Sequence, residues 1–394
     1  MKKFKNKNFV QGLFAGIICT LVVCAVVTLT TGGAIGGTAN IDKETSKKLS
    51  AIDSLIDEKY LYEKDIDQEA LQQGLIKGYV EALGDPYSEY YDKEEYTELT
   101  QTTEGKFYGI GAAFSTENQG GYLEVVKVYE NMPADKAGIK AGDKLIKVDG
   151  KSIEDKTAEA VINLVKGEEG TKVKLIFLRG DDQYTTTCTR AEVKVPTVSY
   201  EMKANKIGYI AISEFTAETY TQFDEAFDAL KNQGMAGLVI DLRSNLGGRV
   251  DTTCQILDEL LPEGTLVYTK DQNGKKTIVA KSDEKTKWQK PIAVLVNEYS
   301  ASASELFTGA LQDYDAATVV GTTTFGKGVM QQMFGFKDGT GVKLTIAKYY
   351  TPKGQDVNHK GITPDIKVKD TRKTADDTND AQLNKALETV KNSL

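Results

Sequence analysis

The sequence predicts an α/β protein, α+β overall, in which a helical N-terminal segment and a small β-rich domain precede a larger α/β domain. Between residues 207 and 312, short apolar runs alternate with segments of helical periodicity, the pattern of a largely parallel sheet covered by helices. Between residues 105 and 192, alternating strands are separated by glycine turns, as in a compact β domain. An uncharged run near the N-terminus adds a transmembrane helix.

The first 31 residues are predicted to form a basic cytoplasmic N-terminus and a membrane anchor. Lysines at positions 2, 3, 5 and 7 precede an uncharged run from Phe9 to Leu29, and about 20 apolar residues span a bilayer as a helix. Because basic flanks stay in the cytoplasm, the body from about Asp42 onward is expected outside it, in a single-pass protein of a bacterial cell membrane. A cleaved signal peptide is the alternative. Its apolar region is usually shorter, about 7–15 residues, but small residues at 36–39 leave it open.

Charge and cysteine content exclude several classes of function. The formal charge of −8 includes the four N-terminal lysines, so the rest of the chain, which holds all the acidic residues, carries −12. Such a body repels nucleic acid, and no nucleic-acid partner is expected. Outside the anchor only Cys188 and Cys254 remain. Their spacing matches no metal site, so we expect two free buried thiols and no metal or other cofactor.

Residues 32–104 are predicted to contain a linker and two helices. Thr31–Asn40 is rich in glycine, threonine and alanine, which is typical of a linker. Helical periodicity then extends to Leu83, where Gly84-Asp85-Pro86 ends it. Four tyrosines follow, for which partly buried packing is the usual outcome, at positions 87, 90, 91 and 96.

Residues 105–192 resemble a PDZ domain. The elements predicted there are strands at Tyr122–Val126 and Lys172–Phe177 and a helix at Thr157–Val165. The segment Pro133–Gly150 (PADKAGIKAGDKLIKVDG) is similar to the central signature of PDZ domains. The resemblance implies that an early loop, here Tyr108-Gly109-Ile110-Gly111, captures the terminal carboxylate of a peptide on backbone N–H groups, while the peptide adds as a strand to a sheet edge.

Residues 193–370 alternate strands and helices, and residues 371–394 form an acidic linker and a C-terminal helix from Ala381 to about Val390. The predicted strands are Ile207–Ile212, Leu238–Leu242 and Ile292–Val296, and the predicted helices are Tyr220–Leu230, Thr252–Leu261 and Glu305–Gln312. Loops at the carboxyl ends of such strands are where chemistry is expected. The N-terminal helices and the C-terminal helix could pair two copies of the chain in a homodimer, or pack within one chain.

Two motifs in these loops offer a nucleophile and a base. Ser302 lies in the run SASASE, and Lys327 lies in the turn FGKG. Because His359 is the only histidine, a serine activated by a lysine is the arrangement that does not depend on it. Each residue also has a simpler interpretation. Ser302 and Glu305 fit a capping box, and Lys327 would be an ordinary exposed loop lysine unless it is buried, as a lysine base must be.

A third motif, Asp241–Gly248 (DLRSNLGG), leads from a strand into paired glycines. Such a turn can present backbone N–H groups as an oxyanion hole, or it can be a strand-to-helix turn without chemistry. Gly321–Lys327 also matches the first seven positions of the phosphate-binding P-loop, but Gly328 stands where a Ser or Thr hydroxyl should reach magnesium. Nucleotide binding is therefore not expected.

As a set, these motifs resemble those of the C-terminal (tail-specific) processing peptidases, which are membrane-anchored serine proteases with a PDZ domain. The likeness covers about residues 42–369. Besides the motifs already described, it includes GDPYS at 84–88, TFGKGVMQ at 324–331 and GITPD at 361–365. The resemblance implies a serine protease core of the ClpP/crotonase-like type over residues 193–370.

The resemblance also implies a role for individual residues. Ser302 is the nucleophile, Lys327 is the general base 25 residues later, and Gln331, one helical turn beyond, assists the lysine. The backbone N–H groups of Gly248 and Ala303 match the oxyanion hole. Protein substrates are selected by their apolar C-termini, which the PDZ domain binds.

The expected function is therefore C-terminal processing by a membrane-anchored serine endopeptidase. The alternative is a catalytically silent PDZ peptide-binding scaffold, which would be free to lose Ser302, Lys327 or the paired glycines, although this chain retains them all. Leu246 stands where a proline is common in the family, which would loosen the oxyanion turn.

Overall fold

Most helices and strands lie where helical periodicity and alternation in the sequence predict them. The structure is a computed structural model that describes residues 22–23, 41–104, 106–115, 120–283, 285, 288–371 and 379–394. Most of the predicted membrane anchor lies outside these residues, and of that run only Val22–Val23 is described, as a short strand. In the part of the chain that the structure describes, no helix is long and apolar enough to cross a membrane. The anchor stays a prediction.

The helices begin at side chains suited to capping. The carboxylates of Asp42, Asp67 and Asp380 and the hydroxyl of Thr157 each accept a hydrogen bond from a backbone N–H three residues later. The helices are α1 (Lys43–Lys59), α2 (Gln68–Glu81), α3 (Lys93–Glu104), α4 (Pro133–Lys136), α5 (Ala158–Val165), α6 (Thr219–Asn232), α7 (Val250–Leu260), α8 (Ala303–Asp313) and α9 (Ala381–Asn392). The predicted helices between Thr157 and Val390 are confirmed, with ends that differ by at most two residues.

The strands include all those predicted and several that were not. They are β1 (Val22–Val23), β2 (Glu89–Tyr91), β3 (Lys106–Gly109), β4 (Ala112–Phe114), β5 (Leu123–Val128), β6 (Lys144–Val148), β7 (Lys151–Ser152), β8 (Lys172–Arg179), β9 (Asp182–Thr189), β10 (Ala191–Lys194), β11 (Val198–Lys203), β12 (Ile207–Ile212), β13 (Gly237–Asp241), β14 (Gly264–Asp271), β15 (Lys276–Ser282), β16 (Ile292–Val296), β17 (Thr318–Gly321), β18 (Val329–Gly335), β19 (Gly341–Tyr350) and β20 (Ile366–Lys367).

The chain divides into two compact units. Unit 1 comprises Met1–Thr100, Val198–Phe215 and Phe223–Leu394, and unit 2 comprises Gln101–Thr197 and Thr216–Gln222. In unit 2, strands β4, β5, β6, β8 and β9 form one sheet in that order, with β7 beside β6. Apolar side chains of β5, β6 and β8 and of α5 form its core, because alternate residues of each strand face the same side.

The central sheet of unit 1 has the order β11-β12-β13-β16-β17-β20. In this sheet β12, β13, β16, β17 and β20 each run parallel to the next, and β11 is antiparallel to β12. Every residue of β13 and β16 is buried, as expected for strands covered on both faces. The prediction of a largely parallel sheet is confirmed.

The C-terminal helix α9 packs on one face of this sheet. Its Ala386 and Val390 side chains contact Val239 and Leu295 of the neighbouring strands. At its N-cap, Asp380 pairs with Arg243, whose Nη2 lies 2.8 Å from Asp380 Oδ2. Of the two alternatives left open for this helix, packing within the chain is the one observed.

A second sheet of unit 1 has the order β1-β18-β19-β14-β15, with β2 paired to β19. Strands β18 and β19 form an antiparallel hairpin, and β2 pairs with β19 over Glu89–Tyr91. The sequence analysis did not predict this sheet. It matters for function because β18 follows the FGKG turn directly.

Candidate active site

Three loops meet at one edge of the central sheet, because β13, β16 and β17 are adjacent and parallel and the predicted motifs follow their carboxyl ends. Backbone hydrogen bonds join the loops. Ala301 N–H donates to the Asn245 carbonyl at 3.0 Å, and Phe325 N–H donates to the Ser300 carbonyl at 3.0 Å. The expectation that DLRSNLGG, SASASE and FGKG lie together is confirmed.

The three serines of the SASAS run have different surroundings. Ser300 Oγ donates to the Leu242 carbonyl at 2.7 Å, and Ser304 Oγ donates to the Asn245 carbonyl at 2.9 Å. Both therefore bind the run to the DLRSNLGG loop. Ser302 is fully buried, yet among the described residues its Oγ has no hydrogen-bond partner. An unsatisfied buried hydroxyl lowers the stability of the fold. The hydroxyl of Ser302, unlike those of Ser300 and Ser304, therefore has no structural role that explains it.

The backbone at Ser302 is strained. Its φ is 60° and its ψ is −115°, a combination that a non-glycine residue rarely adopts and that occurs mainly at functional sites. Ser302 is the N-cap of α8, and its N–H donates to Glu305 Oε2 at 2.8 Å. The Glu305 side of the predicted capping box is therefore present. The Ser302 hydroxyl makes no hydrogen bond to any described residue.

Lys327 is buried rather than exposed in a loop. The residue is 5% exposed, and its Nζ lies 4.4 Å from the centroid of the Tyr87 ring. The alternative of an ordinary surface lysine is wrong. The P-loop alternative fails as well, since β18 begins at Val329, where a P-loop requires a helix.

Gln331 lies on a strand, which corrects the expectation that it follows Lys327 by one helical turn. The segment after Lys327 pairs with β19 as strand β18, and a strand brings residues to one face by alternation rather than by helical spacing. Gln331 is fully buried, and its Nε2 donates to Thr345 Oγ1 at 3.0 Å. In the described part of the chain its Oε1 has no hydrogen-bond partner.

Two side chains bind the backbones of Ser302 and Lys327 to each other. Glu305 Oε2 accepts the N–H of both residues, at 2.8 Å in each case. Tyr349 Oη lies 3.0 Å from the Ser302 carbonyl oxygen and 2.7 Å from that of Lys327, so its single O–H donates a hydrogen bond that the two carbonyls share. We call Glu305 and Tyr349 the backbone clamp. The clamp holds the two peptide groups side by side, although 25 residues separate them.

The electrostatics of the clamp follow from its burial. Burial raises the pKa of Glu305, while hydrogen bonds donated by Thr324 and by backbone N–H groups oppose that rise. Burial also raises the pKa of Tyr349 well above its usual value, so its hydroxyl keeps its proton and remains a donor. The sequence predicts Glu305 only as a cap, and nothing in the sequence points to Tyr349.

The paired glycines lie against the start of α8. Gly247 and Gly248 have φ values of 108° and 133°, which favour glycine. A Cβ on Gly247 would lie 2.9 Å from Ala303 N, and one on Gly248 would clash with the Phe215 carbonyl. Ala303 is the first residue of α8, so its N–H has no partner within the helix. The structure thus brings the predicted oxyanion turn next to Ala303.

Comparison with known proteins identifies the family. The model of peptidase family S41 matches residues 206–368, that of the PDZ domain matches 124–179, and that of the activating protease CtpB N-terminal domain matches 30–95. The carboxy-terminal processing protease CtpA of Bacillus subtilis is 36% identical over 362 residues, which are 90% of this chain and 77% of that protein. The chain belongs to peptidase family S41.

Two further proteins are similar to this chain. A protein named "Probable CtpA-like serine protease" from Staphylococcus aureus is 36% identical over 92% of this chain and 73% of its own length. The solved photosystem II D1 C-terminal processing protease is 28% identical over 82% of this chain and 92% of its own, with a TM-score of 0.49. The predicted resemblance is confirmed, and the protein is a serine-type peptidase with a PDZ domain.

In this S41 peptidase, the predicted carboxylate-binding loop lies in unit 2. Ile110 is buried, and its carbonyl accepts a hydrogen bond from Ala134 N–H at 2.7 Å. Gly111 has a φ of 76°, and its carbonyl accepts from Tyr129 N–H at 3.0 Å. The loop is therefore fixed from within its own unit, and its role in peptide capture stays a prediction. No metal-binding cluster occurs among the residues that the structure describes.

Proposed function

We propose that this protein is a membrane-anchored, extracytoplasmic serine endopeptidase that cleaves C-terminal segments from proteins by a Ser-Lys acyl-enzyme mechanism. The observation that carries the proposal is the buried Ser302 hydroxyl. It has no hydrogen-bond partner in the described chain, it stands at the N-terminus of α8, and its backbone is clamped to that of Lys327. A nucleophile needs a free hydroxyl beside a base and beside oxyanion donors.

The proposed reaction begins with attack of Ser302 Oγ on the scissile carbonyl carbon, with transfer of the hydroxyl proton to the neutral amine of Lys327. The N–H groups of Gly248 and Ala303 donate hydrogen bonds to the substrate oxygen and stabilise the negative charge that develops there. As the peptide bond breaks, Lys327 gives its proton to the leaving amine, and an ester to Ser302 remains. Water then hydrolyses the ester, with Lys327 again taking the proton.

A lysine base must be shielded from water, and Lys327 meets that condition with 5% exposure. Gln331 would assist by its Oε1, the atom that has no hydrogen-bond partner among the described residues. An amide oxygen accepts hydrogen bonds, so Gln331 can receive one from the ammonium group that Lys327 becomes. This role fits a side chain whose other end is already fixed by Thr345.

Substrate choice is proposed to lie in the PDZ domain. Its loop Tyr108-Gly109-Ile110-Gly111 would bind the terminal carboxylate of a protein whose last residues are apolar, as PDZ domains bind peptides. The curated relative from Bacillus subtilis is named a carboxy-terminal processing protease, which agrees with a substrate read from its C-terminus.

The membrane anchor and the homodimer belong to the same proposal. The lysine-flanked run at 9–29 would hold the protein in the membrane with its body outside the cytoplasm. Apolar side chains of α1 and α2, including Leu55 and Leu75, are exposed in the single chain, and neither helix buries a residue. Because isolated helices are marginal in water, we expect a second copy to cover them. A monomeric mass by light scattering would refute the pairing.

The central test uses the full chain in detergent as wild type, Ser302→Ala and Lys327→Ala. Each is incubated with an unfolded protein that ends in apolar residues, and with the same protein ending in Asp-Asp. We expect only the wild type to cleave, with preference for the apolar tail, and all three to bind that tail. Residual cleavage by pure Ser302→Ala would refute the assignment. Binding without cleavage by every variant would favour the silent scaffold.

A further inference from the structure

The turn at Asp85–Ser88 is built to hold one conformation. Ser88 N–H donates to the Asp85 carbonyl at 3.2 Å, which closes a β-turn with Pro86 at its second position, as turns of this kind favour. The Asp85 carboxylate accepts the N–H of Tyr87 at 3.1 Å and the hydroxyl of Ser88 at 2.6 Å. The turn therefore aims the Tyr87 and Ser88 side chains in fixed directions.

These two side chains lead to the base and to its partner. The Tyr87 ring lies over Lys327 Nζ, 4.4 Å from centroid to nitrogen. Ser88 Oγ accepts the N–H of Thr345 at 3.0 Å, and Thr345 Oγ1 in turn accepts the Nε2 of Gln331 at 3.0 Å. One short turn thus reaches Lys327 directly and Gln331 through a single intermediate residue.

The turn is anchored independently of the loop that carries Lys327. Strand β2, which follows the turn, pairs with β19. The buried Lys343 ammonium donates to the Tyr91 hydroxyl, and that hydroxyl donates to Glu89 Oε2 at 2.7 Å. In the same strand, Tyr90 Oη donates to Gln73 Oε1 of α2 at 2.8 Å. The position of Tyr87 is therefore set by the second sheet and α2.

We propose that Tyr87 and Ser88 are positioning residues of the peptidase reaction. Tyr87 holds Lys327 Nζ against its ring face, where the ring stabilises the ammonium that forms when the amine takes the serine proton, and Ser88 fixes Gln331 through Thr345. The inference rests on the proposed function, since it assumes that Lys327 is the base. It assigns to the GDPYS turn a role in the chemistry rather than in the fold alone.

The physical reason lies in the flexibility of lysine. A lysine side chain has four rotatable bonds, and ordering it costs up to about 2 kcal/mol. A cation over an aromatic face is stabilised by about 0.5–1 kcal/mol when exposed and about 2 kcal/mol when desolvated. The ring also keeps water from the amine. Burial, and then the charges of Glu305 and Asp85, raise the pKa of Tyr87, so its phenol stays neutral and contributes its ring rather than a charge.

The test compares full-chain variants at Tyr87 in the cleavage assay. Tyr87→Leu, which keeps the bulk but removes the ring, should lower kcat about ten- to thirty-fold with KM within about two-fold of wild type. Tyr87→Phe keeps the ring face and should retain kcat within about two-fold. The matched control is Tyr200→Leu, the same change at an exposed tyrosine of β11, which should change neither constant. Tyr87→Met is a second ringless variant should the leucine variant fold poorly.

The proposed role of Ser88 is tested by Ser88→Ala. The control is Ser199→Ala, at an exposed position of β11. Loss of one hydrogen bond to the Thr345 backbone should lower kcat about three- to ten-fold. A Gln331→Ala variant should remove the effect of Ser88→Ala, since Ser88 acts through Gln331. A Ser88 effect that remains in full without Gln331 would contradict that role.

The outcomes separate this inference from the proposed function. If Lys327→Ala is inactive but Tyr87→Leu keeps the wild-type kcat, the positioning role of Tyr87 is refuted and the proposed function stands. If Tyr87→Phe loses as much activity as Tyr87→Leu, the hydroxyl and not the ring matters, and the inference is equally refuted. If Lys327→Ala cleaves at the wild-type rate, the proposed function fails and the inference fails with it. Thermal unfolding of both variants is measured alongside, so that a fall in kcat is read only for protein that is folded at the assay temperature.

Discussion

Replacement of Glu305 by glutamine would remove one charge and one acceptor oxygen from the centre of the site without changing the size of the side chain. In the structure the carboxylate is fully buried and accepts four hydrogen bonds. Oε1 accepts from Thr324 Oγ1 and Gly326 N–H, both at 2.6 Å, and Oε2 accepts from the N–H of Ser302 and of Lys327, both at 2.8 Å.

The cost can be worked out from the two orientations that the amide can adopt. With its NH₂ group at the Oε2 position, the N–H groups of both Ser302 and Lys327 lose their acceptor. With the NH₂ group at the Oε1 position, the Thr324 hydroxyl can turn to accept, but Gly326 N–H is left facing another donor. The second orientation costs less, because it leaves only one buried N–H without an acceptor, at about 1–3 kcal/mol. It also weakens the remaining hydrogen bonds, because their acceptor is no longer charged. We expect a loss of about 2–4 kcal/mol in the free energy of unfolding.

The variant is measured in two assays. Urea unfolding is followed by the fluorescence of Trp288, the only tryptophan, which is buried. Cleavage of the apolar-tailed substrate gives kcat, which should fall about ten-fold or more because a small misplacement of the base is enough to do so. Glu298→Gln is the matched control, since Glu298 is exposed and accepts a hydrogen bond from Thr322 Oγ1. Unfolding within about 0.5 kcal/mol of wild type, together with an unchanged kcat, would refute the reasoning.

Three further variants and reagents test other parts of unit 1. Tyr349→Phe should lower kcat several-fold, because the clamp loses the hydroxyl that donates to both carbonyls, whereas Tyr350→Phe on the next residue should leave it unchanged. Asp380→Asn can still cap α9 but loses its charge opposite Arg243. Because Arg243 keeps its pair with Asp241, urea unfolding should show a loss of about 1.5–3 kcal/mol, and no measurable loss would contradict the buried ion pair. Burial raises the pKa of Cys254 to about 12, so iodoacetamide at pH 8, with labelled peptides mapped by mass spectrometry, should modify it only after unfolding.

The sequence was sufficient to predict the central sheet and the loops that carry the site. Strands β12, β13 and β16 are short apolar runs bounded by polar residues, and each helix between them shows clear periodicity. Because neighbouring parallel strands end at one edge, the motifs after them had to meet. The relation between Ser302 and Lys327 could therefore be predicted without knowledge of any side-chain contact.

The second sheet could not be predicted in the same way. Its strands pair residues that are far apart in the sequence, as when Glu89 lies opposite Lys343. Local propensity does not indicate which distant strands pair. The expectation that Gln331 is one helical turn from Lys327 failed for this reason, since the residues after Lys327 find their partner in β19. The contact of Tyr87 with Lys327 depends on the same sheet and was equally out of reach.

The clamp and the hydroxyl of Ser302 together indicate how the site divides positioning from chemistry. Glu305 and Tyr349 join the peptide groups of Ser302 and Lys327 on both the N–H and the carbonyl side, so the two backbones cannot separate without the loss of at least two buried hydrogen bonds. The Ser302 hydroxyl, in contrast, makes no hydrogen bond to any described residue, and that includes the Lys327 amine. In the proposed mechanism Oγ and Nζ would come together by rotation of side-chain torsions, each of which costs on the order of 1 kcal/mol away from its preferred value, while Glu305 and Tyr349 keep the two backbones joined.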